Sequence, residues 1–240
     1  ITAIADNARR NHDFYTRIMG QRLVKKTVNF DDPGTYHFYF GDEQGSPGTI
    51  LTFFPWEGIG QGSTGTGMAT DIGYSVPPGS MDFWAARLKE FNIPHQELKE
   101  RFGEQFLSLR DPDGLNLDLI VPAHADNRKP WVTKELTEDV ATKGFHNITL
   151  TVRKLDPTAR VLTDILGYSL QTQEGRRFRF KTDTVDNAAI VDVVEEPDGH
   201  PGHNAAGTNH HVAFRVKDDN ILMDYREKIA RRGFNITPKI

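Results

Sequence analysis

Ile1-Thr-Ala-Ile-Ala5, His146-Asn-Ile-Thr-Leu-Thr-Val152 and His210-His-Val-Ala-Phe-Arg-Val216 are three copies of one phrase. Each alternates apolar and polar residues, the period of a strand with one buried face. When Ile1 is set on Ile148, Ile18-Met-Gly-Gln-Arg-Leu23 falls on Ile165-Leu-Gly-Tyr-Ser-Leu170, with Gly20 on Gly167. Glycine just past a helix supplies the left-handed cap. When Ile1 is set on Val212, Asp13-Phe14 falls on Asp224-Tyr225 and Ile18 on Ile229. A further unit starts near Asp71 with Ile72-Gly-Tyr-Ser-Val76 and runs into a helix predicted over Met81–Glu90. Its Phe91-Asn92-Ile93 end recurs as Phe234-Asn235-Ile236.

Each unit therefore reads strand, helix, then several strands, an α+β pattern repeated four times. In the first unit the later strands are predicted at Leu23–Phe30, Thr35–Phe40 and Thr49–Phe54. The second has them at His95–Lys99, Gln105–Asp111 and Leu115–Val121, the third at Ser169–Gln173, Arg176–Thr182 and Ala189–Val194. Asp111-Pro-Asp-Gly114 is a hairpin turn, because Asp and Pro initiate and Gly accepts positive φ. The fourth unit contains its first strand and helix and reaches Ile240 as its next strand begins. Two stretches look irregular. Glu57–Gly67, rich in Gly, Ser and Thr, joins the first two units, and Ala123–Lys143 joins the halves. The division expected is 1–122 as a first pair of neighbouring units, a linker over 123–143, and 144–240 as a second pair with its last unit incomplete. Because the chain enters directly in strand pattern and without Met, it reads as a piece of a longer one.

With 240 residues the chain can bury a sizeable core. A net charge of −4 shows no bias toward nucleic acid or acidic membrane. Zero cysteines exclude a disulfide framework and thiolate metal sites and fit a reducing cytoplasm. No apolar run is long enough to span a bilayer, and no signal peptide is visible.

His210-His211 is the strongest chemical signal. On a regular strand one of the two faces each side of the sheet, so one at most lines a given cavity. In repeat phase His211 immediately precedes the position of Ile1, which marks it as the metal-ligand candidate. Alternatively, the two are half-buried histidines satisfied by hydrogen bonds. His146 sits one residue out of that phase, with Asn147 in it, and suits a supporting role better than a ligand. Asp118, an acid between apolar residues, is either a relic of a second site or a solvent-facing strand acid. Its counterpart in the fourth unit would fall beyond Ile240. His12, His37, His95, His124, His200 and His203 show no ligand spacing, and Tyr36, Phe38 and Tyr39 read as core or cavity wall. No Gly-x-Ser-x-Gly or phosphate-loop motif occurs.

Leu23-Val-Lys-Lys-Thr-Val-Asn-Phe-Asp-Asp-Pro-Gly-Thr-Tyr-His-Phe-Tyr-Phe-Gly-Asp42 and Gly48-Thr-Ile-Leu-Thr-Phe-Phe-Pro-Trp56 carry a resemblance. So do Gly144–Val152 and Gly207–Val216. Over essentially its whole length the chain resembles the vicinal oxygen chelate superfamily (glyoxalase, bleomycin-resistance and extradiol dioxygenase proteins), and within it the hydroquinone ring-cleaving dioxygenases. The resemblance implies four βαβββ modules in two pairs, the fourth incomplete. It also implies an Fe(II) held by two histidines and one glutamate, with Mn or another divalent metal as alternatives. His211 would be one ligand. The other histidine would lie just before Ile1, and the glutamate beyond Ile240. Thr2 and His210 would contact a small aromatic substrate cleaved by O₂, and His210 would move a proton or stabilise the bound oxygen. Homodimerisation is common in the superfamily, and nothing in the chain shows it. Two other classes share the fold: a metal-dependent lyase or isomerase, and a metal-free binding protein. Asn147 and Thr52 argue against the lyase, which needs a fuller ligand set.

Overall fold

The computed structural model describes residues 1–238. Three times the order strand, helix, three strands runs through. The first run is β1 (Thr2–Ala5), α1 (Ala8–Asp13) continuing as a π-helical segment Phe14–Ile18, β2 (Arg22–Val28), β3 (Tyr36–Gly41) and β4 (Leu51–Pro55). The second is β5 (Met68–Ser75), α2 (Met81–Glu90), β6 (Lys99–Arg101), β7 (Glu104–Arg110) and β8 (Asn116–Ile120). The third is β9 (Phe145–Val152), α3 (Leu155–Asp164), β10 (Ser169–Glu174), β11 (Arg177–Lys181) and β12 (Ile190–Glu195). A last strand, β13 (Thr208–His211), and α4 (Asp219–Arg231) follow. The local signals act as expected. The Asn7 side chain caps α1 by accepting from the Arg10 N–H, Asp218 caps α4, and Gly20 and Gly167 take positive φ beyond their helices.

Hydrogen bonding gathers the strands into two sheets, a five-stranded one in the order β13-β1-β4-β3-β2 and an eight-stranded one in the order β10-β11-β12-β9-β5-β8-β7-β6. This corrects the expected pairing of neighbours. The first unit bonds to the fourth through β1 and β13, and the second to the third through β5 and β9. Each seam joins two first strands antiparallel, while inside a unit the first and last strands run parallel, as in β1–β4 and β9–β12. The 123–143 stretch therefore connects two units of a single sheet. It is also partly buried: Leu136, Val140 and Ala141 enter the core, and the Val140 carbonyl accepts the Trp84 indole N–H at 2.9 Å. Glu57–Gly67 runs beside 200–206 through bridges Gln61–Ala206, Ser63–His203 and Thr66–Pro201, so the two sheet-to-sheet connections brace each other.

Most strands lie within a residue or two of their predicted places. The exceptions have physical causes. His95 makes only an isolated bridge to Leu109, and the strand there starts at Lys99. The fourth unit's strand ends at His211, because Val212–Val216 has no strand to bond among the described residues. The further strand expected to begin near Ile240 lies outside the described residues.

Candidate active site

Both seams carry the same irregularity. In β13, Thr2 faces His211 and Ala3 faces Asn209, which leaves His210 as the extra residue of a β-bulge. In β5, Ala69 faces Leu150 and Asp71 faces Thr149, which leaves Thr70 in the equivalent place. The bulge corrects the expectation that His210 and His211 point to opposite faces, because an inserted residue breaks strand alternation. Nδ1 of His210 lies 2.8 Å from Nδ1 of His211, and the His210 ring stands edge-on to Phe54 and Trp56 at 5.7 and 6.0 Å. Phe54 and Trp56 stack on each other at 5.3 Å.

Alternation along the five-stranded sheet places Thr2, Thr52 and His37 on the same face, opposite to the buried Ala3, Phe53, Phe38 and Phe40. There Nε2 of His211 meets the Thr2 hydroxyl at 2.9 Å. The Thr52 hydroxyl donates to Thr2 at 2.8 Å, and Nε2 of His37 meets Thr52 at 2.9 Å. Tyr39 closes the row with its hydroxyl 3.0 Å from Nδ1 of His37. Burial, with His211 and Lys25 nearby, holds His37 at about 4. Burial and the neighbouring His210 also lower His211. Both rings are thus neutral at pH 7 and keep a nitrogen lone pair. A cavity of about 430 Å³ opens beside Thr2 and Thr52, with Ile50, Phe145, Ile148 and Leu166 in its walls.

The corresponding face of the eight-stranded sheet is filled. Register equates Thr149 with Thr2, Asp192 with Thr52, and Arg177 with His37, since Asp192 pairs with Thr149 as Thr52 pairs with Thr2. Arg177 donates to Thr149 at 2.9 Å, and Arg179 binds Asp192 through Nε at 2.9 Å and Glu104 through Nη1 at 2.6 Å. His146 meets Glu104 at 3.0 Å, and Asn147 donates to Asp192 at 2.7 Å. Burial pushes Glu104 up, but bonds and charge from His146 and Arg179 outweigh it and hold it at about 2. Asp118 is not the solvent-facing acid that the sequence allowed. It is buried and takes bonds from Arg101 at 2.8 Å and Ser108 at 2.5 Å. His146 therefore belongs to this structural network, and Asp118 to a separate buried cluster with Arg101 and Ser108.

Of the residues singled out in the sequence, Thr2, His210 and His211 come together. Thr52 joins them, and His37 was missed. Its signal was its polar place between core residues on β3, which becomes informative only once β3 is known to lie beside β4. Among the described residues no three His, Cys, Asp or Glu side chains group as a metal site. Among the described residues this face offers imidazoles and hydroxyls without a carboxylate, so it fits His211 as one ligand and not a complete donor set.

No protein-family model matches the chain. It is 45% identical over 238 residues to a Bacillus subtilis (strain 168) protein named "Putative ring-cleaving dioxygenase MhqO", covering 99% of this chain and 75% of that one. It is 32% identical over 239 residues to the "Chlorohydroquinone/hydroquinone 1,2-dioxygenase" of Sphingobium indicum, covering 98% and 74%. A crystal structure titled as a putative dioxygenase from Bacillus subtilis superposes with a TM-score of 0.92 at 44% identity, covering 99% of this chain and 76% of that one. The V278E mutant of Zea mays glyoxalase I superposes at 0.69 with 15% identity, covering 96% and 78%, a likeness of fold alone. The fold is thus that of the vicinal oxygen chelate superfamily. Within it, the chain belongs to the ring-cleaving dioxygenase family.

Proposed function

We propose that this chain carries out Fe(II)-dependent, extradiol-type cleavage of a hydroquinone- or catechol-like ring by O₂ on the open face of the five-stranded sheet. One observation carries the reading: Thr2, His210 and His211 converge at the β1–β13 seam of the half whose centre is not filled by ion pairs. A relative named for chlorohydroquinone and hydroquinone supports the substrate class. The absence of cysteine accords with a cytoplasmic setting.

His211 offers a neutral imidazole as one metal ligand. By the resemblance, the other histidine would lie just before Ile1 and the glutamate beyond Ile240. Iron, when bound, would supply the Lewis-acid and redox chemistry that brings O₂ to react with the ring. The protein's own groups bind and orient. The Thr2 hydroxyl contacts a ring oxygen, the His210 imidazole takes or holds the proton of a ring hydroxyl, and the stacked Phe54–Trp56 pair offers an aromatic wall beside His210. The cavity beside Thr2 and Thr52, whose walls do not include His210 or His211, falls within the roughly 300–1,000 Å³ usual for small-molecule sites.

The test is anaerobic Fe(II) reconstitution of the full-length protein, then oxygen uptake with hydroquinone, methylhydroquinone and catechol. Iron-dependent uptake that His211→Ala abolishes is the expected result. Iron binding without uptake would move the reading to a lyase or isomerase, and no binding at all to a metal-free binding protein. Residues 1–240 alone are expected to bind iron weakly. Tight stoichiometric iron there would overturn the ligand assignment.

A further inference from the structure

His37 lies two hydroxyls away from His211, reached through Thr52 and Thr2. The Thr52 hydroxyl has a single proton, and that proton goes to Thr2. Thr52 can therefore only accept at its contact with His37, so His37 carries its proton on Nε2. Nδ1 of His37 is then an acceptor, and the Tyr39 hydroxyl donates to it. The chain of donors runs one way, from Tyr39 through His37 and Thr52 to Thr2. Since Thr2 accepts from Thr52, its own single proton is not spent on that contact: it serves Nε2 of His211, or an oxygen on the open face once that nitrogen is engaged, but not both.

We propose that His37 is a positioning residue of this site: by donating to Thr52 it fixes the direction of the Thr2 hydroxyl and aims that proton at the substrate oxygen. The proposal rests on the dioxygenase reading for its chemistry and on the hydrogen-bond geometry for the rest.

The other half of the molecule supports it independently. Arg177 occupies the equivalent place and also reaches the first-strand threonine, donating to Thr149 at 2.9 Å, with Asp192 at 3.7 Å. In that half a guanidinium fills the centre. In the first half a shorter imidazole works through Thr52 instead and leaves the space beside Thr2 open. The depressed His37 agrees with a ring that stays neutral, and so keeps one donor and one acceptor.

Two independent readouts test this. Ring ¹⁵N–¹H spectra of the metal-free full-length protein are expected to show His37 as the neutral Nε2–H form, and Thr52→Val is expected to shift its resonances. An Nδ1–H form, or a ring indifferent to Thr52→Val, would overturn the proposal whatever the activity. In the iron-loaded protein, His37→Phe is expected to lower kcat about tenfold with little change in KM, the scale of one misdirected hydrogen bond. His37→Gln, whose amide can donate in place of Nε2, should restore part of that loss. The double variant His37→Phe/Thr52→Val should fall no further than either single one, because both cut the same chain. A kcat within about twofold of wild type for a folded His37→Phe would overturn the proposal. Should His37→Phe fail to fold, Thr52→Val takes its place in the comparison. If the loaded wild type leaves every hydroquinone intact, the dioxygenase reading falls, and the ring spectra still decide whether His37 directs Thr52.

Discussion

The Asp111 carboxylate sits at the turn between β7 and β8, where Oδ1 accepts the backbone N–H groups of Asp113 and Leu115, both at 2.9 Å. Oδ2 accepts from the buried Tyr15 hydroxyl at 3.1 Å, a contact between the turn and the first unit. Burial lifts this group from its ordinary 3.8 to about 7, against the lowering effect of those backbone bonds. Between these values the unfolded chain has released a proton that the folded chain keeps. The stability contributed by this protonated group is therefore full below about 3.8 and is lost as the pH rises through about 7. Asparagine mimics the protonated acid, since its oxygen can face the two N–H groups and its nitrogen the tyrosine. Asp111→Asn is thus expected to bring the melting temperatures at about pH 5 and about pH 8 closer together than in wild type. An unchanged gap would show that the carboxyl is already ionised in the fold.

At the scale of elements, the two halves use one bulged seam for opposite ends. Around β13 the bulge gathers imidazoles and hydroxyls. Around β5 and β9 the matching face is held by Arg179, Glu104, Asp192 and His146, all buried. Removing one member of such a network leaves uncompensated charge away from water, which costs about 3–5 kcal/mol. Arg179→Met should therefore destabilise the protein by about that much, read as a lower urea midpoint at unchanged slope. A loss under about 1 kcal/mol would mean that water reaches Glu104 and Asp192 and that the pairs act as surface ones. The repeated phrase predicted these strands and helices well, because period and caps are local. Repeat phase singled out His211, and the family resemblance Thr2 and His210; the structure brings these three side chains together. The phrase did not disclose the bulge at His210, which exists only through pairing with β1. Nor did it disclose His37, whose partner Thr52 comes from another strand.

The pairing of units shows the same limit across the whole molecule. β1 and β13 meet across a sequence separation of 209 residues, as the Thr2–His211 contact shows, and no local pattern announces that bond. Four similar units can pair as neighbours or as an inner pair enclosed by an outer one, and their alternation is alike in both cases. The observed arrangement is the second, and it has a consequence for dissection. A cut inside 123–143 separates β5 from β9, the seam of the eight-stranded sheet, and leaves each piece with half of it. A fragment over 68–196 instead keeps every strand of that sheet, the buried ion network and the Trp84–Val140 contact. Such a fragment is expected to unfold cooperatively in urea with dispersed amide spectra, despite the apolar surface it exposes where Phe14 and Tyr15 packed. The pieces 1–122 and 123–240 should each lack a cooperative transition and regain one when mixed, as their edges β5 and β9 rejoin. If 1–122 alone unfolded cooperatively while 68–196 did not, stability would reside in consecutive units, and the seams described here would be contacts made after each had folded.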